Sequence, residues 1–226
     1  MMEITPGATC PEAGTEKPVE PREQARTSLV TMLHTYQEGG TFLPGDATQE
    51  RQMVNAFVGF VQTTPDCLER TSPVGHFTGS AMVVDVNMRR VLLTHHAKLG
   101  LWIQLGGHAD GAYPLHEVAM QEAHEESGLA GLFLLDLPAR PGSPAETPLP
   151  FDLDVHTIPA HGDVASHLHY DVRFLVCAPV PGPLIISHES RDLQWLDLDQ
   201  ARRLTTETSM HRQFDKVDWL RASLHA

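Results

Sequence analysis

The segment that begins at Trp102 constrains the fold more than any other part of the chain. A short β-rich run, Trp102 to Leu105, leads into Gly106 and Gly107, and a helical pattern then extends from Pro114 to Ser127. Proline suits the first turn of a helix, and Gly128 suits the left-handed residue that ends one. At the glycine pair we expect a loop in backbone conformations that residues with a Cβ atom avoid. This strand, loop and helix predict a domain of mixed α and β structure.

The residues before this segment predict two helices rather than strands. Apolar residues recur at helical spacing from Arg22 to Glu38, and a second apolar stripe follows Thr48, a candidate N-cap, and ends before Pro65. Residues 1 to 21 are almost devoid of apolar side chains, which predicts a mobile tail. We therefore divide the chain into this tail, a helical extension over 22–70 and a domain over 71–226.

Short β-branched runs and later helical patterns complete the organisation. The two runs Ser80 to Val86 and Arg89 to His95 flank a predicted tight turn at Asn87 and Met88. The Pro138 to Pro150 stretch contains five prolines and predicts a surface loop. Further strands are predicted at Asp152 to Ile158, Tyr170 to Ala178 and Leu193 to Leu196, and helices at Leu198 to Leu204 and Met210 to Leu220.

Composition narrows the classes of function. The 226 residues suit one domain with appendages, and a net charge of −13 disfavours a nucleic-acid partner. Cys10, Cys67 and Cys177 form no recognisable motif, and the N-terminal residues lack the pattern of a signal peptide. The apolar runs are shorter than the roughly 18 residues needed to span a bilayer. We predict a cytoplasmic protein without a membrane segment.

Three glutamates converge on one face of the helix predicted after the glycine pair. Glu122, Glu125 and Glu126 have the i, i+3 and i+4 spacing that brings side chains to about 5–6 Å from one another. Like charges at this spacing repel one another unless water or a cation screens them. Carboxylates are the oxygen ligands that Mg²⁺ uses together with water and phosphate oxygens. The alternative is a solvated acidic surface, but the nearby glycine pair could add backbone carbonyls to a cation site.

The stretch from residue 106 to residue 129, GGHADGAYPLHEVAMQEAHEESGL, resembles the Nudix box. Its pattern is G-x5-E-x7-R-E-U-x-E-E-x-G-U, where U is a bulky aliphatic residue. Six defining positions match, namely Gly107, Glu122, Glu125, Glu126, Gly128 and Leu129. Three depart from the pattern: Tyr113 replaces the loop glutamate, Gln121 replaces the arginine and Ala123 replaces the aliphatic residue.

The resemblance implies an α+β fold, a Nudix-like α/β/α sandwich with a mixed sheet, here preceded by the N-terminal helical extension. It also implies a pyrophosphohydrolase that uses Mg²⁺ or Mn²⁺ to cleave a phosphoanhydride in a small nucleotide-type substrate. Glu122, Glu125 and Glu126 would bind the metal with a carbonyl of Gly106 or Gly107. In the family, the loop glutamate and the arginine brace the loop on the helix, and a Tyr113 to Gln121 hydrogen bond could replace them.

Residues outside the box complete the predicted site. Glu122, Glu125 or Glu189 would act as the base, with Glu189 coming from a separate loop. Candidate substrate ligands are Lys98, His108, His169 and Arg173. The histidine-rich stretch that contains His167 and His169 suits the lining of a substrate cleft better than zinc, because its spacing matches no closed structural-zinc pattern.

Three alternatives stay open from the sequence alone. The missing brace residues fit a catalytically weak nucleotide-binding or regulatory module of the same fold. Isomerisation of an isopentenyl-type diphosphate requires a cysteine at the site, and the three cysteines lie far from the box in sequence. The helical extension could pack on its own subunit or on a second one, so a homodimer is possible.

Overall fold

The computed structural model describes residues 21–39, 46–135, 137, 148–180 and 182–224. Five helices lie within these residues: α1 (Pro21–Gly39), α2 (Ala47–Thr63), α3 (Leu115–Ser127), α4 (Leu198–Leu204) and α5 (Thr208–Leu224). Residues 1–20 of the tail predicted over 1–21 and most of the proline-rich loop fall outside the described residues, whereas Pro21 is the first residue of α1. Among the described residues, no helix is both long and apolar enough to cross a lipid bilayer.

Eight strands form one mixed sheet. They are β1 (Gly75–Asp85), β2 (Arg90–His96), β3 (Trp102–Ile103), β4 (Leu105–His108), β5 (Phe133–Leu134), β6 (Asp152–Ile158), β7 (His167–Ala178) and β8 (Ser190–Asp197). The order β3-β2-β1-β7-β5 forms the main path, while β4 also pairs with β1, β6 with β7 and β8 with β2. The long β1 and β7 run parallel over their whole length, and the other pairs are antiparallel.

Alternate residues of β1 face two different hydrophobic clusters. Phe77 packs in a cluster with α1, α2 and α3, whereas Met82 and Val84 pack in a second cluster with α4 and α5. This alternation is the two-residue period of a strand that is covered on both faces. The architecture is therefore α+β, with helices on both sides of a mixed sheet, as the sequence predicts.

A buried ion network joins α5 to the sheet. Lys216 on α5 donates to Asp152 on β6 at 2.7 Å and to Glu50 on α2 at 2.8 Å. On the neighbouring strand, Arg173 donates to Asp171 at 2.7 Å and to Asp152 at 3.1 Å. The network links four elements, α2, β6, β7 and α5, and it fixes α2 and α5 at the same end of the sheet.

Several predicted boundaries need correction. The N-cap of α2 is Asp46 rather than Thr48, because the Asp46 side chain accepts from the Thr48 backbone N–H at 2.7 Å. The predicted single strand over Trp102 to Leu105 is broken at Gln104, since β3 pairs with β2 and β4 pairs with β1. Strand β7 begins at His167, three residues before the predicted start, and the short β5 was not predicted.

The division into extension and domain stays a prediction. Helices α1 and α2 share one hydrophobic cluster with the sheet, and Phe60 on α2 stacks on Tyr170 of β7 with ring centroids 3.9 Å apart. The two helices therefore complete the hydrophobic core on one side of the sheet.

Candidate active site

Helix α3 carries the three glutamates that the sequence predicts as metal ligands. Leu115, Ala119 and Ala123 face the sheet, and Gly128 ends the helix in the left-handed conformation with φ of 69°. This packing fixes the rotation of the helix, so that Glu122 is half-buried, Glu126 is buried and Glu125 is exposed. The helix therefore places two of the three carboxylates between itself and strand β4.

Gly106 and Gly107 lie within β4, not in a loop. Neither adopts a positive φ angle, and they pair with Ser80 and Gly79 of β1. These glycines allow neighbouring groups to come close to the β4 backbone. A Cβ atom on Gly107 would overlap the carboxylate of Glu122, and one on Gly106 would overlap Ser80. The prediction that unusual backbone angles select these glycines is therefore wrong, and their lack of a side chain is what the site requires.

The carboxylates are held close enough to oppose one another's ionisation. Burial, followed by repulsion from Glu125 and Glu189, raises the pKa of Glu122. Burial and repulsion from Glu122 raise the pKa of Glu126 to about 8, although the Gly106 backbone N–H donates to this carboxylate. One Glu126 oxygen, Oε2, is buried without a hydrogen-bond partner among the described residues. A bound cation would offset both the repulsion and the missing partner.

Glu189 comes from the turn that precedes β8, and it lies close to the α3 glutamates. Its charge contributes to the raised pKa values of Glu122 and Glu126, and it also acts on His96 and His108. The Glu189 carbonyl accepts from the Ala97 N–H at 2.8 Å, which attaches this turn to the end of β2. The fold thus brings together glutamates that the sequence separates by more than sixty residues.

This donor set suits a hard divalent cation. Its members are carboxylates and strand carbonyls, all oxygen donors, and the buried Glu126 oxygen lacks another partner among the described residues. Glu122, Glu125 and Glu126 could hold the ion together with a carbonyl of Gly106 or Gly107. These ligand roles remain expectations that follow from the chemistry of the donors.

The loop before α3 is braced differently from the prediction. Tyr113 packs against the hydrophobic cluster that contains α1, and Gln121 donates to Glu125 at 2.8 Å, so the expected Tyr113 to Gln121 contact is not made. Instead, the Arg70 guanidinium donates to both oxygens of Asp110. The Gly111 N–H also donates to the Leu68 carbonyl at 2.9 Å. Residues 68–70, which follow α2, therefore support the loop.

Asp110 and Gly111 form the turn within this loop. Both have positive φ, 50° and 80°, and the Ala112 N–H donates to the Ala109 carbonyl at 2.8 Å. An Asp-Gly pair favours such a turn. The turn presents the Asp110 carboxylate to Arg70.

The predicted substrate ligands fall in different places. Lys98 is exposed on the loop after β2, near His96, whereas His108 and His169 are half-buried together on the sheet face opposite α3. Arg173 is 3% exposed, and its donors are engaged by Asp152, Asp154 and Asp171. The interpretation of Arg173 as a phosphate ligand does not fit this geometry, because its charge is already neutralised inside the protein.

Arg70 and His76 were not among the predicted site residues. Arg70 lies in the irregular segment between α2 and β1. His76 precedes the start that the sequence predicts for its strand. The one available signal was the Asp-Gly pair at 110 and 111, which marks a turn but does not identify its partner.

Comparison with known proteins identifies the fold. No protein-family model and no curated protein matches this sequence. Among solved structures, an Ap4A hydrolase binary complex from C. elegans is similar, with a TM-score of 0.50, 16% identity, and coverage of 65% of this chain and 98% of that chain. The E. coli dihydroneopterin triphosphate pyrophosphohydrolase has a TM-score of 0.47 and 17% identity, with coverage of 62% of this chain and 92% of that chain.

A UDP-X diphosphatase covers more of the chain. The similarity extends over 91% of this chain and 97% of that chain, with a TM-score of 0.41 and 16% identity. The first of these similarities, to the Ap4A hydrolase, shows the fold. The chain has the fold of the Nudix hydrolases.

Proposed function

We propose that this chain hydrolyses a phosphoanhydride bond in a small nucleoside-diphosphate-linked substrate and that the reaction depends on Mg²⁺ or Mn²⁺. The observation that carries the proposal is the approach of Glu122, Glu126 and Glu189 to one another, where burial and mutual repulsion raise the pKa values of the two α3 glutamates. The fold is that of an Ap4A hydrolase, which is consistent with a substrate of nucleotide type.

The chemistry assigns roles to the residues of the site. When bound, a divalent cation neutralises charge on the phosphate oxygens of the substrate and on the leaving group. Glu122, Glu125 and Glu126 would hold this cation, and the absence of a Gly107 side chain lets the strand approach them. Glu122, Glu125 or Glu189 would accept the proton of the attacking water, because each is a carboxylate in or beside this group.

Substrate turnover by matched variants tests the proposal. The wild-type protein is assayed with ADP-ribose, dinucleotides, nucleoside triphosphates and nucleotide sugars in Mg²⁺ or Mn²⁺. We expect Glu126→Gln to lower kcat/KM by at least about 100-fold, since even partners of a metal ligand contribute about 10–100-fold. Glu117→Gln changes an exposed glutamate in the first turn of the same helix, and it should leave the rate within roughly twofold of wild type.

Isotopically labelled water then identifies the phosphorus atom that is attacked. Label in one product only would define the bond that is broken and the leaving group. If no compound of the panel is hydrolysed with either metal, or if Glu126→Gln has the wild-type rate, the proposed activity is wrong.

A second candidate is a nucleotide-binding or regulatory module. The specific observation in its favour is the loss of the two brace residues, with Tyr113 packed against the hydrophobic cluster and Gln121 donating to Glu125. This candidate predicts metal-dependent binding of a nucleotide without product. Calorimetric titration with the intact nucleotide, followed by chromatography of the same sample, separates binding from turnover.

Cellular location and assembly belong to the same proposal. Cys67 and Cys177 are free, buried thiols, which is compatible with a reducing cytoplasm. Light scattering during size-exclusion chromatography measures the mass in solution, and a value of twice 24.9 kDa would support the homodimer.

A further inference from the structure

Five histidines lie together at one end of the sheet, on the face opposite α3. His76 of β1 is paired in register with His169 of β7, and His169 is paired with His156 of β6. His108 of β4 is paired with Thr78, two residues from His76, and His167 is two residues from His169. Residues in register share a face of the sheet, as do residues two apart on a strand. Strand pairing therefore collects imidazoles from four strands.

Three of these rings are arranged closely enough to share one ion. The ring centroids are 4.6 Å apart for His76 and His169, 5.0 Å for His76 and His167, and 5.3 Å for His167 and His169. One nitrogen from each ring lies within 4.8 Å of the other two. A tetrahedral site places nitrogen ligands about 3.4 Å apart, because each nitrogen is about 2.0–2.1 Å from the ion. Shifts of roughly an ångström in the side chains would complete such a site.

Unpaired buried nitrogens point to a ligand at this position. His76 is only 2% exposed, and neither of its ring nitrogens has a hydrogen-bond partner among the described residues. The Nε2 atom of His169 is also buried and unpaired among them. A buried polar atom without a partner destabilises the folded state by about 1–3 kcal/mol. A group that binds these nitrogens would remove this penalty, and nearby side chains do not.

The third ring has one nitrogen free to bind an ion. His167 Nδ1 lies 2.9 Å from the carbonyl oxygen of Ala165. Because a carbonyl oxygen can only accept, Nδ1 carries the proton and Nε2 has the free lone pair. Metal-binding histidines commonly donate their second ring N–H to a backbone carbonyl in this way.

We infer that His76, His167 and His169 form a binding site for a zinc-type divalent transition metal, with a fourth position left for water or another ligand. Imidazole nitrogens favour zinc, copper or nickel over magnesium, whereas the α3 glutamates offer only oxygen. The two sites therefore select different ions. This inference does not depend on the proposed hydrolase activity.

Cobalt binding tests the inference directly, because tetrahedral Co²⁺ absorbs visible light far more strongly than hydrated Co²⁺. Full-length protein without a histidine tag is stripped with a chelator and titrated with Co²⁺, and Zn²⁺ is then added as a competitor. We expect one equivalent of tetrahedral Co²⁺ that Zn²⁺ displaces. Elemental analysis after dialysis against Zn²⁺ should give the same stoichiometry.

Matched variants locate the ion. His167→Ala and His169→Ala should each weaken Co²⁺ binding by at least about 100-fold, because a direct ligand contributes more than the 10–100-fold of an outer partner. His161→Ala removes an exposed histidine between β6 and β7 that lies outside the cluster, and Glu126→Gln alters the carboxylate site. Both controls should retain the tetrahedral spectrum.

The variant of the fully buried ligand requires a check of folding. If circular dichroism shows that His76→Ala does not fold, the half-buried His167 and His169 variants decide the question. A spectrum of hydrated Co²⁺ at all protein concentrations would overturn the inference. So would tetrahedral binding that survives both His167→Ala and His169→Ala, or binding that is lost in Glu126→Gln alone.

Discussion

The Arg70 guanidinium and the Asp110 carboxylate form a two-point ion pair that joins the segment after α2 to the turn before α3. Both side chains are partly exposed, so the pair contributes little to the free energy of unfolding. Its geometry nevertheless holds the turn that precedes the glutamate-bearing helix. In this chain, the segment after α2 supports the loop that precedes α3. In the Nudix box, a glutamate and an arginine within the box have this role.

Loss of this ion pair should affect activity more than stability. We expect Arg70→Ala to lower kcat/KM roughly tenfold, because a small displacement of a catalytic loop greatly lowers the reaction rate. Arg70→Lys should recover only part of the loss, since lysine keeps the charge but not the two-point contact. Steady-state kinetics and thermal unfolding of both variants measure these effects.

Arg221→Ala is the control for this prediction, because Arg221 forms a comparable surface ion pair with Asp218 on α5. It should have the wild-type rate. If Arg70→Ala also has the wild-type rate, the ion pair does not position the loop.

Cation binding should release a proton from Glu126 near neutral pH. The pKa of Glu126 is raised to about 8, so this carboxyl is largely protonated at pH 7 and must ionise to bind a cation. Apparent affinity for Mn²⁺ should rise about tenfold per pH unit below pH 8 and level off above it. Calorimetry in buffers of different ionisation enthalpy counts the protons that are released.

The same raised pKa affects the metal-free protein. The pKa of Glu126 is higher in the folded state than its ordinary value of 4.5. Its contribution to the stability of the folded state is therefore fully present below pH 4.5 and is lost as the pH rises through about 8. Glu126→Gln should therefore flatten both the affinity and the stability profiles across this range. Proton release that is the same in wild type and Glu126→Gln would contradict the assignment.

The Gly107 position should not tolerate a methyl group. An added Cβ would overlap the Glu122 carboxylate, so Gly107→Ala should displace that side chain and weaken Mn²⁺ binding by about 10–100-fold, as other changes around metal ligands do. Manganese binding can be followed by electron paramagnetic resonance.

Gly59→Ala is the matched glycine control, because a Cβ at this site in α2 meets nothing within 4 Å. It should bind Mn²⁺ normally and stabilise the protein by about 0.5–1 kcal/mol through its helix propensity. Equal Mn²⁺ affinity in the two variants would show that β4 does not need to approach Glu122 this closely.

The buried ion network should be the most sensitive point for stability. Lys216 is 1% exposed, and Lys216→Met leaves Asp152 and Glu50 without this partner. We expect a loss of about 3–5 kcal/mol in the free energy of unfolding, measured in urea. Lys98→Met, which changes an exposed lysine, should alter it by less than about 0.5 kcal/mol. A loss no larger than that of the control would mean that the network is neutral for stability.

Local sequence patterns were sufficient for the helices and for the position of the three glutamates on α3. The apolar stripe from Arg22 to Glu38 corresponds to α1, and the Asp152 to Ile158 run corresponds to β6 residue for residue. Both depend on periodicity over neighbouring residues, which a sequence displays directly. The spacing of Glu122, Glu125 and Glu126 likewise required only the geometry of one helix.

Predictions failed where two distant segments had to be paired. The break at Gln104 arises because β3 and β4 pair with different strands, and Gly107 is selected by a carboxylate on a later helix rather than by its own backbone. The sequence predicts Arg173 as a substrate ligand. Two of its three aspartate partners, Asp152 and Asp154, lie on β6 and become visible only when β6 and β7 are paired.

The sequence by itself determined the helices, the Nudix-like order of elements and the line of carboxylates on α3, because each follows from contacts between residues a few positions apart. Only the tertiary structure decided which segment supports that helix and which aspartates pair with Arg173. It also decided that His76 lies against His167 and His169. Those outcomes depend on strand register across the sheet, in which residues about ninety positions apart become neighbours. Register is set by the packing of the whole domain and cannot be derived from any one segment.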